Sequence, residues 1–117
     1  MISIIDDDHS VLVATQLLVS SFGFETSIFS SAEGFLQSDR INDTECLISD
    51  IHMPTISGIE LQGILRARGR NIPMILMTAF STDNVRARAM AGGAVCFLIK
   101  PFEAKTLLGC VNAALNR

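Results

Sequence analysis

Four places in this 117-residue sequence hold residue types suited to chemistry on a small anion: Asp6-Asp7-Asp8, Asp50, Thr78, and Lys100 followed by Pro101. Adjacent acids repel one another unless something offsets their charge. A hard divalent cation with oxygen ligands does so, and Mg²⁺ takes one or two carboxylates with waters and a phosphate oxygen. In extended backbone Asp6 and Asp7 point opposite ways, so Asp7 is expected as a direct ligand and Asp6 as a partial or water-mediated one. Asp8 reads as a helix cap, and capping could account for the whole run were it alone. Asp50 closes the apolar run Cys-Leu-Ile-Ser, where a buried acid is costly unless paired or coordinated. Carboxylates are nucleophiles toward phosphoryl groups; the plainer role is a loop-starting Asp before Pro54. Lys100 ends another apolar run, either as a solvated edge residue or as a point charge on phosphoryl oxygens. Its bond to Pro101 is a candidate cis peptide. Thr78 is an ordinary strand residue or a hydroxyl donor to such an oxygen.

These residues matter together only if the fold brings them together. Five apolar runs alternate with amphipathic stretches: Ile2 to Ile5, Thr26 to Phe29, Cys46 to Ser49, Met74 to Met77 and Val95 to Ile99. Four of them show little alternation, as parallel strands covered on both faces should. Thr26 to Phe29 is mixed and reads as an edge strand. Between the runs lie helix signals. Asp8 caps a helix with Val11, Leu18 and Phe22 inward, ended by Gly23. Ser30 with Glu33, and Ser57 with Glu60, read as capping boxes. Ser81, Thr82 or Asp83 starts a fourth helix that Gly92 stops. A fifth begins near Glu103 and buries Leu107, Leu108, Val111 and Leu115. A βα unit repeated five times predicts an α/β fold: one parallel sheet with helices on both faces and right-handed crossovers. Ligands then bind beyond the carboxyl ends of the strands, which is where the acids, the hydroxyl and the ammonium all fall.

Composition narrows the classes. The length fits one domain over 1–117, and 49% hydrophobic content supports a core without staples. Mean hydropathy is +0.41, yet no run approaches the ~20 residues that span a bilayer, and nothing has the pattern of a secretory leader. A net charge of −3 argues against this domain gripping nucleic acid directly. Cys46, Cys96 and Cys110 form an odd, unpatterned set beside apolar runs, which reads as reduced core thiols in a cytoplasmic protein.

Taken together, Ile-Ile-Asp-Asp-Asp at 4–8, Asp50-Ile-His-Met-Pro-Thr-Ile-Ser-Gly58, Thr78-Ala79, Ala91-Gly92-Gly93-Ala94 and Lys100-Pro101-Phe102 resemble the receiver domain of bacterial two-component response regulators. The likeness spans essentially the whole chain. Ser31-Ala-Glu-Gly-Phe-Leu and Lys100-Pro-Phe-Glu resemble the FixJ-like subgroup. The resemblance implies a flavodoxin-like sheet of order 2-1-3-4-5 with five helices. It implies Asp50 as phosphoacceptor and Mg²⁺ held by Asp6, Asp7, Asp50 and the backbone carbonyl of His52. Thr78 and Lys100 would contact the phosphoryl group. Thr78 and Phe97 would form the switch, Phe97 standing where the family often has Tyr and so lacking a hydroxyl. His52 and Phe80 occupy positions that vary among receivers; Phe80 is expected to crowd the water that hydrolyses the acyl phosphate.

The implied function is a phosphorylation-activated signalling switch, not an enzyme turning over external substrate. Its donor would be a sensor histidine kinase. The fourth helix, fifth strand and fifth helix would carry the change, with a possible phospho-dependent homodimer through helix 4 and strand 5. The output is expected to be transcription through a DNA-binding domain absent from this chain; the alternative is a stand-alone receiver serving as phosphorelay intermediate or phosphate sink. A turnover phosphatase would commonly want a second acid two residues after the nucleophile, where His52 stands. A dinucleotide or flavin binder would want a Gly-rich turn where Asp6 to Asp8 stand. A module that has lost phosphorylation would not need the full set of acids, Thr and Lys.

Overall fold

The computed structural model describes residues 1–116. The apolar runs form β1 (Ile2–Ile5), β2 (Thr26–Phe29), β3 (Cys46–Asp50), β4 (Met74–Thr78) and β5 (Cys96–Ile99). Between and after them lie α1 (His9–Ser21), α2 (Ala32–Leu36), α3 (Gly58–Ala67), α4 (Asp83–Ala91) and α5 (Ala104–Ala114), with a 3₁₀ turn at Asp39–Asp43. The strands are all parallel in the order β2-β1-β3-β4-β5, as expected. β2 is the half-buried edge, whereas β1, β3 and β4 are buried throughout.

Successive strand residues point to opposite faces, and each face meets its own helices. Ile2, Ile4, Ile48, Ile75, Met77 and Leu98 pack with Leu12 and Val19 of α1 and Leu107 and Val111 of α5. Ile5, Leu47 and Leu76 pack on the other side with Phe35, Leu61, Leu65 and Ala89 from α2, α3 and α4. Each large apolar side chain so buried contributes roughly 1.5–3 kcal/mol, which explains how a chain this short forms a three-layer fold.

Local chemistry sets the helix ends. The Ser57 hydroxyl accepts from Glu60 N–H while the Glu60 carboxylate accepts from Ser57 N–H, a complete capping box. Asp8 caps α1, accepting from the backbone N–H groups of Ser10 and Val11. Thr82 caps α4. Gly23 and Gly93 adopt φ of 96° and 94°, the left-handed conformation that leads the chain out of α1 and α4.

Four expectations need correction. The cap of α2 is Ser31, accepting from Gly34 N–H, and Glu33 makes no reciprocal bond, so there is no capping box. In α1 the buried positions are Leu12, Thr15 and Val19. Leu18 and Phe22 do face inward, partly buried against the same core, whereas Val11 is only partly covered and lies outside it, because the helix is apolar over most of its circumference and its inward stripe is not unique. In α5, Leu108 and Leu115 are partly exposed, and Cys110 and Ala114 complete the inward stripe. Finally, the three cysteines are not all free: Cys96 of β5 is bonded to Cys110 of α5, their Cα atoms 5.9 Å apart. Helix α5 folds back over β5 and brings the two thiols face to face; Cys46 is left as a buried free thiol.

Helix α4 is the most weakly seated. Ala89 is its one wholly buried residue. The Gln62 side-chain amide of α3 donates to the Ala89 carbonyl at 2.9 Å, tying the end of α4 to its neighbour.

Candidate functional site

The strand order reverses between β1 and β3, and the carboxyl ends of both open on one rim. There Asp6, just past β1, and Asp50, the last residue of β3, are buried, and Asp7 is exposed. One oxygen from each of the three carboxylates lies within 4.8 Å of the others. A turn makes this possible. Asp6 Oδ1 accepts from the backbone N–H of Asp8 at 3.0 Å, so the chain bends at once after β1. Asp6 and Asp7, opposed in a continuing strand, are thereby brought to one side.

Lys100 reaches the same point from the end of β5. Its Nζ lies 2.8 Å from Asp6 Oδ2 and 3.1 Å from Asp50 Oδ1, with the side chain 17% exposed. The Lys100 N–H donates to the Thr78 carbonyl at 2.8 Å, and the Lys100–Pro101 peptide is cis. Three carboxylates against one ammonium leave the rim two charges short of neutrality. The electrostatics follow. Burial pushes the Asp50 carboxyl above its ordinary value, aided by the charges of Asp6 and Asp7 and opposed by Lys100. For Lys100, burial alone would lower the pKa, but its bonds to Asp6 and Asp50 outweigh that and raise it, holding the ammonium charged. A cluster of hard oxygen donors with excess negative charge suits a small divalent cation that keeps some of its waters.

The loop after Asp50 is held by a close backbone approach. Gly58 N–H donates to the Ile51 carbonyl at 2.9 Å. A Cβ at Gly58 would stand 2.6 Å from the Asp50 carbonyl oxygen, so only glycine lets α3 begin so near. Thr55, at φ 69°, takes the left-handed conformation within that turn.

Thr78, at the end of β4, is fully buried. Its hydroxyl donates to the Phe80 carbonyl at 3.1 Å and accepts from the Phe80 N–H at 3.0 Å. His52 Nε2 lies 3.3 Å from the same carbonyl, linking the β3 and β4 loops. The Phe80 side chain itself stands out, 76% exposed. Phe97 pairs in register with Leu76 and lies half-buried on the α4 side of the sheet. The Arg86 guanidinium of α4 sits over its ring, 5.5 Å from the centroid.

The structure therefore brings Asp6, Asp7, Asp50 and Lys100 to one point and sets Thr78 on the adjoining strand end. Phe97 lies below the rim, against the other core. Two residues escaped the sequence reading in these roles. Gly58 was visible as the end of the Asp50 motif, but its close approach was not. Arg86 gave no signal, because its partner is distant in sequence.

A five-stranded parallel α/β sheet with an acidic cluster and a lysine at its switch point defines a CheY-like receiver fold. The response regulator receiver domain family matches residues 2–112, and the chain belongs to that family, which serves two-component signalling as a switch. Its sequence is 40% identical over 116 residues to the response regulator protein TodT of Pseudomonas putida, covering 99% of this chain and 51% of that one. It is 36% identical to the transcriptional regulatory protein FixJ of Azorhizobium caulinodans, covering 99% and 55%. The chain thus spans about half the length of these curated relatives. Among solved structures, the FixJ N-terminal domain superposes with a TM-score of 0.89 at 31% identity, covering 99% of this chain and 93% of that one. The response regulator StyR gives 0.90 at 40% identity, covering 98% and 58%. No helix among the described residues is long and apolar enough to cross a membrane.

Proposed function

We propose that Asp50 is the phosphoacceptor of a Mg²⁺-dependent switch whose donor is a phosphohistidine on a sensor kinase. The observation that carries this reading is the convergence of Asp50 with Lys100 at 3.1 Å and with the Asp6 and Asp7 carboxylates. Asp6, Asp7, Asp50 and the His52 carbonyl are the residues that would hold the ion. When bound, Mg²⁺ offsets charge on the incoming phosphoryl oxygens and fixes in-line geometry. Asp6 Oδ1 and Oδ2 are already engaged by Asp8 N–H and Lys100, so Asp7 is the freer direct ligand. The Asp50 oxygen attacks phosphorus, the phosphorus–nitrogen bond to the donor breaks, and the imidazole leaves. Lys100, free to swing from Asp50, holds a phosphoryl oxygen by charge-assisted hydrogen bond.

The product then competes for the Thr78 hydroxyl, which gives up the Phe80 carbonyl to donate to a phosphoryl oxygen. Space opens beneath, and Phe97 turns inward in a population shift between two packings. The weakly seated α4, with β5 and α5, is the surface that changes. Relatives of about twice this length include transcriptional regulatory proteins, which supports a DNA-binding output and phospho-dependent pairing through α4 and β5. A sensor-kinase donor fits a cytoplasmic site of action.

The deciding experiment adds acetyl phosphate and Mg²⁺ to wild type and to Asp50→Asn. A single phosphoryl adduct on wild type only, with amide shifts in α4, β5 and α5, is expected. Equal labelling of the Asn variant, or labelling without Mg²⁺ at the same rate, refutes the assignment.

A further inference from the structure

We propose that Cys96 and Cys110 form a reversible dithiol–disulfide pair through which a thiol oxidant acts on the β5–α5 face. The pair joins two elements that the sheet already packs together, 14 residues apart in sequence and with Cα atoms 5.9 Å apart. That separation lies in the ordinary range for a bridge, so making or breaking the bond requires no rearrangement of the backbone.

Three observations favour a reversible pair over a staple on which folding depends. First, α5 is seated without it: Leu107, Val111 and Ala114 pack with Leu98, Ile75 and Leu12 in one buried cluster. Reduced cysteines are small apolar groups that fill the same space. Second, the two cysteines differ in exposure. Cys110 is 7% exposed, and Cys96 is half-buried on β5, the strand at the sheet's edge. Cys96 is the more accessible of the two. Third, the remaining thiol does not compete. Cys46 is buried in the central strand β3, and burial pushes its pKa up to about 12, so almost none is thiolate.

The chemistry balances with a low-molecular-weight disulfide such as oxidised glutathione. The Cys96 thiolate attacks one of its sulfurs, forms a mixed disulfide and releases one thiolate. The Cys110 thiolate then attacks the Cys96 sulfur and releases the second. Two protein thiols are oxidised, one small disulfide is reduced to two thiols, and the two protons pass to the departing thiolates.

The bond has an address as well as a chemistry. Cys96 is the immediate neighbour of Phe97, and the two side chains point to opposite faces of β5. Oxidation fastens the strand to α5 on one side, while Phe97 packs toward α4 on the other. A fastened β5 has less freedom to follow an inward turn of Phe97. This last step rests on the proposed phosphoryl switch; the thiol chemistry does not.

The test equilibrates the whole chain in glutathione buffers from fully reduced to fully oxidised, quenches with acid, unfolds, and alkylates with N-ethylmaleimide. Mass should move from three adducts to one across the series, with folded amide spectra at both ends and shifts concentrated in β5 and α5. Asp50→Asn should titrate identically, since it lacks only the phosphoacceptor. Cys96→Ser and Cys110→Ser, each left with two cysteines, should form no internal bridge, so neither should lose both adducts at any glutathione ratio. In wild type, beryllofluoride with Mg²⁺ should bind the oxidised form at least twofold more weakly than the reduced form. Three adducts at every ratio overturn the proposal, as does unfolding on reduction, or β5 and α5 spectra that are the same in both forms. A chain that titrates as described but ignores beryllofluoride in both forms upholds the pair and overturns the phosphoryl reading instead.

Discussion

Replacing Lys100 with Met removes the ammonium from between two acids while keeping most of the side-chain volume. At 2.8 and 3.1 Å from Asp6 and Asp50, and with an effective dielectric near 20, each contact corresponds to roughly 5–6 kcal/mol of bare attraction. Desolvation of the three groups cancels much of this. What remains on deletion is the burden of leaving Asp6 and Asp50 charged and unpaired in a buried place, about 3–5 kcal/mol. Because Lys100 is partly open to water, the lower end applies: about 3 kcal/mol, or a drop in Tm of about 10 °C for a domain of this size. Urea unfolding in Mg²⁺-free buffer measures it. Two companions isolate the cause. Adding Asp50→Asn to Lys100→Met should recover about 1 kcal/mol or more, and millimolar Mg²⁺ should stabilise the single variant more than wild type. A loss below about 1 kcal/mol, the size of a solvent-exposed pair, with no greater response to Mg²⁺, would show that the acids are not held in check by Lys100.

Other perturbations probe the remaining parts. Asp50→Asn should be more stable than wild type in Mg²⁺-free buffer at neutral pH. Burial raises the folded-state pKa of Asp50 above the ordinary 3.8, so the folded wild type binds a proton that the unfolded chain releases. Wild type therefore gains relative stability as pH falls through that raised value, and the advantage of the Asn variant should shrink toward pH 4; a pH-independent difference in urea midpoints contradicts this. Gly58→Ala places a methyl 2.6 Å from the Asp50 carbonyl and should lose about 1–3 kcal/mol together with slower phosphoryl uptake, whereas Gly63→Ala, with open space around it, should not slow uptake. Arg86→Ala removes the cation over Phe97, an interaction of about 0.5–1 kcal/mol at an exposed site; if that contact holds Phe97 in its outward position, the beryllofluoride midpoint should fall, and an unchanged midpoint shows that it does not. Phe80→Ala should hasten loss of phosphate from pre-labelled protein, though modestly, since Phe80 is 76% exposed; unchanged or slower decay removes the crowding argument.

How much could be read in advance depended on whether local sequence carried the determining physics. Strands buried on both faces need uninterrupted apolar residues, so Ile2 to Ile5 and Met74 to Met77 announced themselves, and the rim residues followed from where those runs stop. The capping box at Ser57 is complete within four residues and was legible for the same reason. Between Ser30 and Ser31, by contrast, either hydroxyl could begin α2, and only the path leaving β2 decides. The meeting of Asp6 with Asp7 depends on a bend immediately after β1 that alternation along a strand cannot foresee. The Cys96–Cys110 bond depends on the rotational phase of α5 against β5, and the Arg86–Phe97 contact on how α4 lies across the sheet. Both are properties of packing between elements, which periodicity within one element does not encode.

The light seating of α4 has a bearing on how the molecule breathes. With Ala89 as its one wholly buried residue, and its C-terminal end held to α3 by the Gln62 amide and the Arg66 guanidinium, this helix should exchange its amide hydrogens through openings well below the free energy of global unfolding. If the proposed phosphoryl switch operates, such a segment is the part that a covalent event worth only a few kcal/mol could redirect while the strands beneath it stay rigid, leaving the rim in place beneath a changed outer surface.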